Sequence, residues 1–157
     1  VDALDEQLAV LAGAVHLPAH GLTYAAHPGG GAACNGRGIR PSGRAGLSGA
    51  VAVGPKSQLR PEHWPGGVPA VRTEFRASLA FRLCLVADGH YDMMVTFRRA
   101  WEWDIAAGAL IAAEAGAVVT DPEGAALPFN VADPRVPGVL VAAPGLHAAL
   151  LRLRRGA

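Results

Sequence analysis

The chain has 157 residues, of which 51% are hydrophobic and 17% charged, with a formal net charge of +1. That apolar content excludes a mainly disordered chain, and no apolar run reaches the ~18–20 residues a membrane-spanning helix needs. Of the 14 basic residues only Lys56 is Lys, and the arginines are scattered with no basic stripe, which argues against a nucleic-acid partner.

In chain order, residues 7–15 (QLAVLAGAV) predict a strand and residues 20–26 a second one, antiparallel to it across Pro18. Gly29, Gly30 and Gly31 follow, and then Asn35-Gly36, a pair that favours a tight hairpin turn because both residues tolerate positive φ. GAVAVG after Ser48 predicts a short buried strand. Residues 55–70, punctuated by Pro55, Pro61, Pro65, Gly66 and Gly67, predict a loop with at most a short helix. Residues 78–86 predict a helix with Leu79, Leu83 and Val86 on one face, Ser78 as N-cap and Gly89 as the stop. A strand over 91–97, a helix over 104–115, strands over 117–120 and 138–143 and a helix over 146–154 complete the pattern. Alternating strands and helices of this kind predict an α/β fold.

Several small constellations carry little chemistry. Cys34 and Cys84 have no metal-binding spacing and no secretory signal before them, which points to a reduced, cytoplasmic setting with Cys84 in the core. His16 and His20 are separated by Pro18, which breaks the helix that would bring them together on zinc. Gly46-Leu47-Ser48-Gly49 lacks the last glycine of a nucleophile elbow, and the Gly29–Gly31 run has no following Gly-Lys-Ser/Thr of a P-loop. Trp64, Trp101 and Trp103 could stack on an adenine, but packing in the interior is the expectation for all three.

One stretch is different: Trp101-Glu102-Trp103-Asp104-Ile105-Ala106-Ala107-Gly108, running on through Leu110-Ile111 to Glu114-Ala115-Gly116-Ala117. An Asp at a helix entrance can bind a hard cation with its carboxylate, while the free N–H groups and positive end of the helix favour a phosphate at the same point. The plainer role for Asp104 is to cap the helix. Trp-Asp, Ala-Gly and Glu-Ala-Gly in this order resemble the C-terminal signature of the inositol monophosphatase family of Mg²⁺-dependent phosphomonoesterases. Gly13-Ala14-Val15, Gly29-Gly30-Gly31-Ala32 with Asn35-Gly36, Ile39 and Ser42, and the run from Ser78-Leu79 to Asp88-Gly89 resemble further parts of it, in order along the chain.

The resemblance implies a layered sheet–helix sandwich of the sugar-phosphatase type. Residues 1–54 would supply hairpin strands completing an N-terminal sheet, and residues 55–157 the C-terminal α/β phosphatase domain. It implies Mg²⁺ as cofactor, with Asp104 as a metal ligand, Ala77 and Ser78 presenting backbone and hydroxyl groups to substrate, and Arg98 and Arg99 placed to pair with a second phosphate. Inositol-specific members carry an acidic residue four after the strand Asp; here that Asp is Asp92 and the fourth residue on is Thr96. That departure weighs against an inositol reading, and the Leu83–Gly89 run with the arginines before Trp103-Asp104 resembles the bacterial 3′(2′),5′-bisphosphate nucleotidase branch, which hydrolyses adenosine 3′,5′-bisphosphate to AMP, with an inositol monophosphatase or a non-catalytic partner-binding module as alternatives. Expected partners are a small phosphate ester (adenosine bisphosphate or an inositol phosphate) and a second copy of the chain in a homodimer.

The family's other metal ligands, a Glu and a D-P-x-D-G-T motif, are missing. Asp2-Ala3-Leu4-Asp5-Glu6 copies only the spacing of the two Asp and reads as an exposed turn. With Val1 in place of Met, this suggests the C-terminal half of a longer enzyme, with little turnover on its own.

Overall fold

The computed structural model describes residues 10–156. The segment Asp2 to Glu6 and the start of the strand expected over 7–15 lie outside the described residues.

Four short strands, β1 (Gly13–Leu17), β2 (Leu22–Ala26), β3 (Ala32–Cys34) and β4 (Arg37–Gly38), form an antiparallel sheet in sequence order. Among the described residues the first strand thus begins at Gly13 and not at residue 10, and it runs on to Leu17, because its extent is set by its partner: Gly13 pairs with Ala26 and Leu17 with Leu22. Apolar alternation alone does not specify such a register. A 3-10 turn over Pro18–His20 closes this hairpin. The β3–β4 hairpin turns at Asn35 (φ 48°) and Gly36 (φ 75°), as the dipeptide predicts. Asn35 also ties the two hairpins together, its Oδ1 accepting from the Thr23 N–H at 2.8 Å and its Nδ2 donating to the Gly21 carbonyl at 2.9 Å.

The second sheet is mixed and five-stranded. It contains β5 (Val51–Val53), β6 (Arg72–Glu74), β7 (Met93–Thr96), β9 (Val118–Thr120) and β11 (Val139–Ala142) in the order β6-β5-β7-β11-β9, with β5 parallel to both β6 and β7. Helices α1 (Leu79–Ala87) and α2 (Glu102–Glu114) lie between the two sheets, and α3 (Pro144–Arg155) covers the far face of the second. The central strands are therefore buried on both faces, as their unbroken apolar runs require. Met94, Val139 and Val141 join α1, α2 and the first sheet, while Met93, Val95, Leu140 and Ala142 pack with Leu146 and Leu150 of α3. This is the layered α/β sandwich that the sequence predicts.

Helix α1 begins as expected, the Ser78 hydroxyl accepting from the Phe81 N–H at 3.2 Å. Three strands escape sequence reading: β6 and the two-stranded ribbon of β8 (Ala100–Trp101) and β10 (Arg135–Val136). At two or three residues each, they are too short to show a period.

Candidate active site

Helix α2 opens two residues earlier than its sequence predicts, which changes the role of Asp104. The Glu102 N–H donates to the Pro134 carbonyl at 2.9 Å and the Glu102 carboxylate accepts from the Asn130 N–H at 2.7 Å, so the first turn is anchored by the distant 130–134 loop. Trp101 occupies the N-cap position without a side-chain bond. Asp104, third in the helix, is therefore not a cap. Its exposed carboxylate has no hydrogen bond or ion pair among the described residues.

The first half of α1 packs against the middle of α2. A Cβ on Gly108, one turn along from Asp104, would stand 2.8 Å from Leu83 Cβ and 3.3 Å from the carbonyl oxygen of Ala80, itself two residues from Ser78. Only glycine permits that approach. Each positive helix start, one carrying a free carboxylate and the other a serine hydroxyl, thus lies within about a turn of this crossing.

The other residues singled out from the sequence precede these helix starts in the chain. Ala77 and Ser78 are both exposed. The Ala77 carbonyl accepts from Arg82 Nη2 at 3.1 Å, and the Ser78 oxygen, while capping α1, keeps its own proton to donate. Arg98 is exposed, with a guanidinium that has no partner among the described residues. Arg99 is held at 2.8 Å by Asp133, which also accepts from Arg135 Nε at 2.7 Å. These bonds, Arg135 first and then Arg99, bring the Asp133 carboxyl down to about 2.

Asp92 is fully engaged, accepting from the Ser42 hydroxyl at 2.6 Å, the Val51 N–H at 2.8 Å and Arg44 Nε at 3.1 Å. Burial alone would raise this carboxyl, but the three donors outweigh it and hold it below its ordinary value. Asp88 accepts from the Tyr24 hydroxyl at 2.7 Å; burial first, and then this carboxylate, push the phenol well up. Burial also pushes the Cys84 thiol up to about 12, in keeping with a core residue. Neither Asp88 nor Asp92 is free to bind a cation, and no group of three His, Cys, Asp or Glu that could hold a metal occurs among the described residues.

Two features went unread in the sequence. Glu114, at the far end of α2, accepts from the Gly29 and Gly31 N–H groups, both at 3.0 Å, joining the Glu-Ala-Gly and triple-glycine motifs across 85 residues of chain. The tryptophans also divide: Trp64 is buried, edge-on to Phe97 with its Nε1 donating to the Gln58 carbonyl at 2.8 Å. Trp101 and Trp103 are instead 45% and 65% exposed and stacked on each other, so interior packing does not hold for them. A groove of 800 Å³ opens elsewhere, along Ala12, Ala14, Ala25 and Ala33 of the first sheet, and none of the five predicted site residues lines it.

In the comparison with known families, the profile of the inositol monophosphatase family matches residues 3–157. The chain belongs to the inositol monophosphatase family. The family is one of phosphoric monoester hydrolases and is generally metal-dependent. The inositol-1-monophosphatase of Rhizobium meliloti is 35% identical over 144 residues, covering 82% of this chain and 51% of that protein. The Nus factor SuhB of Pseudomonas aeruginosa is 38% identical over 111 residues, 62% of this chain and 40% of its own length.

Among solved structures, the Thermotoga maritima IMPase superposes with a TM-score of 0.78 at 30% identity, covering 94% of this chain and 56% of that one. The inositol monophosphate-bound IMPase-II of Staphylococcus aureus shares the fold, with a TM-score of 0.80 at 23% identity over 92% of this chain and 56% of that one. The chain spans about half the length, or less, of the curated relatives it matches. Among the described residues no helix is long and apolar enough to cross a membrane.

Proposed function

We propose that this chain supplies the paired helix-end part of a metal-dependent phosphomonoesterase site that acts on a 3′(2′),5′-bisphosphate nucleotide, with adenosine 3′,5′-bisphosphate as the leading substrate. The observation that carries this reading is the unpartnered Asp104 carboxylate at the start of α2, a helix that crosses α1 within about a turn of its Ser78-capped start. Asp104 suits a hard cation such as Mg²⁺, which binds through one or two carboxylates, waters and substrate phosphate. When bound, such an ion neutralises charge on the phosphate and favours its attack by water. Asp104 is one ligand and not a set, so the remaining carboxylates would come from outside the described residues.

The chain's own groups orient the ester. Ser78 donates its hydroxyl proton to a phosphate oxygen, the free N–H groups of both helix ends face the same anion, and Arg98 pairs with a second phosphate. Arg99 joins only by exchanging its bond to Asp133. A nucleotide reading draws support from a solved structure of the staphylococcal IMPase-II that is described as bound to 2′AMP. The inositol reading draws equal support from the names of the relatives, and Thr96 is the feature that weighs against it.

The test is Mg²⁺-dependent phosphate release from adenosine 3′,5′-bisphosphate and from inositol 1-phosphate, measured on the native gene product and its Asp104→Asn variant. The variant should lose activity on both, and unchanged release would remove Asp104 from the site. For the 157-residue chain by itself we expect little turnover.

A second reading, a non-catalytic module that binds a partner, is favoured by the lack of a ligand cluster among the described residues and by the open alanine-lined groove. A chain that elutes as a clean monomer and binds neither metal nor nucleotide would contradict both readings.

A further inference from the structure

We propose that Arg82 is a positioning residue for the ester: from inside α1 it grips the two carbonyls that precede Ser78 and so turns the Ala77 and Ser78 N–H groups toward substrate. The proposal rests on the phosphomonoesterase reading and names what shapes its Ala77–Ser78 contact.

Arg82, at 9% exposure, is the only buried arginine among the described residues. It has no ion pair among them, since Glu74 at the end of β6 accepts instead from the Tyr91 hydroxyl at 2.7 Å and lies 3.7 Å from Arg76. The guanidinium is spent on backbone. Nε donates to the Arg76 carbonyl at 2.5 Å and Nη2 to the Ala77 carbonyl at 3.1 Å, while the Arg82 N–H donates to the Ser78 carbonyl at 3.1 Å. The guanidinium carbon also lies 5.3 Å from the Phe75 ring centre. One residue thus touches each of the four, 75–78, that join β6 to α1.

A buried cation without a carboxylate is a poor device for stability, because an apolar side chain of similar length would fill the position at lower desolvation cost. Its geometry gives it another use. A trans peptide is planar, with the carbonyl of one residue and the N–H of the next on opposite sides, and none of these peptides is cis. Carbonyls 76, 77 and 78 drawn to Arg82 therefore leave the N–H groups of Ala77, Ser78 and Leu79 directed away from it. Those of Ala77 and Ser78 have no partner among the described residues, and both residues are exposed. Donation to a carbonyl also polarises its peptide, so the fixed N–H groups become stronger donors. With the Ser78 hydroxyl they present a row of donors, which suits the oxygens of a phosphate ester.

The test is steady-state kinetics of Mg²⁺-dependent phosphate release from adenosine 3′,5′-bisphosphate and inositol 1-phosphate by the native gene product and its Arg82→Met and Arg82→Ala variants, the last also with added methylguanidinium. Met fills the space without a donor, and the freed carbonyls, on exposed residues, can bond to water, so Arg82→Met should melt close to the parent. KM should rise about tenfold, as expected for losing aimed hydrogen bonds to a charged ligand, and kcat should stay within about twofold because ester and transition state are held alike. Methylguanidinium, standing in for the missing side chain, should lower the KM of Arg82→Ala again. Without Mg²⁺, the amide NMR signals of Ala77 and Ser78 should shift on adding either ester to the parent, and shift less in Arg82→Met. An unmoved KM, or a fall in kcat at constant KM, is what a purely structural arginine gives; either overturns the role and leaves the phosphomonoesterase reading standing. Amide signals that ignore both esters in the parent overturn the role as well. If Arg82→Met fails to fold, Arg82→Lys, which keeps the charge but not the fork, decides: a raised KM supports the role and a parental KM overturns it. Release from neither ester by the native gene product overturns both the role and the reading.

Discussion

The two ends of α2 have opposite chemistry. At its C-terminal end Glu114 is tied to the Gly29 and Gly31 N–H groups, and the triple-glycine loop is wrapped around that carboxylate. At its N-terminal end Asp104 has no partner among the described residues, and the neighbouring Trp103 stands in solvent. Both carboxylates lie in one family signature, within one helix, yet one is used up in holding the hairpin sheet against the helix and the other is left available. A motif residue therefore declares its role by its bonding and not by its membership of the motif: a saturated carboxylate stabilises, and an unsatisfied one at a positive helix end can take a ligand.

Substitutions at the two ends, and at the contact between them, should separate stability from ligand binding. The largest structural loss is expected at the crossing of α1 and α2. Gly108→Val would drive a side chain into Leu83 and the Ala80 carbonyl, lowering stability by about 3 kcal/mol, and a urea melt would show it. Glu114→Ala should follow, at about 2 kcal/mol for two charge-assisted hydrogen bonds, with faster hydrogen exchange at Gly29 and Gly31. If this variant melted like the parent, the distinction between the two ends would fail.

Ser42→Ala removes one donor from Asp92 and should be smaller, about 1.5 kcal/mol near neutral pH. Its pH dependence carries a definite sign. The folded-state value of Asp92 lies below its unfolded value, so its bonds contribute fully above the unfolded value of about 4 and are lost as pH falls through the folded one. The parent and the variant should therefore differ at pH 7 and converge in acid, and a difference that grew on acidification would contradict the assigned bonding. Asp104→Asn should have the smallest effect on stability, below about 1 kcal/mol, since only the interaction with the helix end changes.

Local signals were legible in the sequence. Asn35-Gly36 turns where two positive-φ residues must stand, Ser78 caps α1, and Gly89 follows its end, because each depends on neighbours a few residues away. Features set by distant chain were not. The start of α2 at Glu102 is fixed by Pro134 and Asn130, which periodicity around Asp104 cannot reveal, and the cap expected at Asp104 fails for this reason. The pairing of Glu114 with the glycine loop was hidden likewise, although both motifs stood out separately. Trp101 and Trp103 were read as interior on residue type, which says nothing of the short ribbon that keeps them at the surface.

The most direct measurement of whether the open end of α2 is a phosphate-and-metal end is Mg²⁺-dependent phosphate release by the native gene product and by a folded Asp104→Asn variant. Loss of Mg²⁺-dependent release with an unchanged melting curve is the predicted result. Release that persists at the parental rate would show that the free carboxylate takes no part in the reaction.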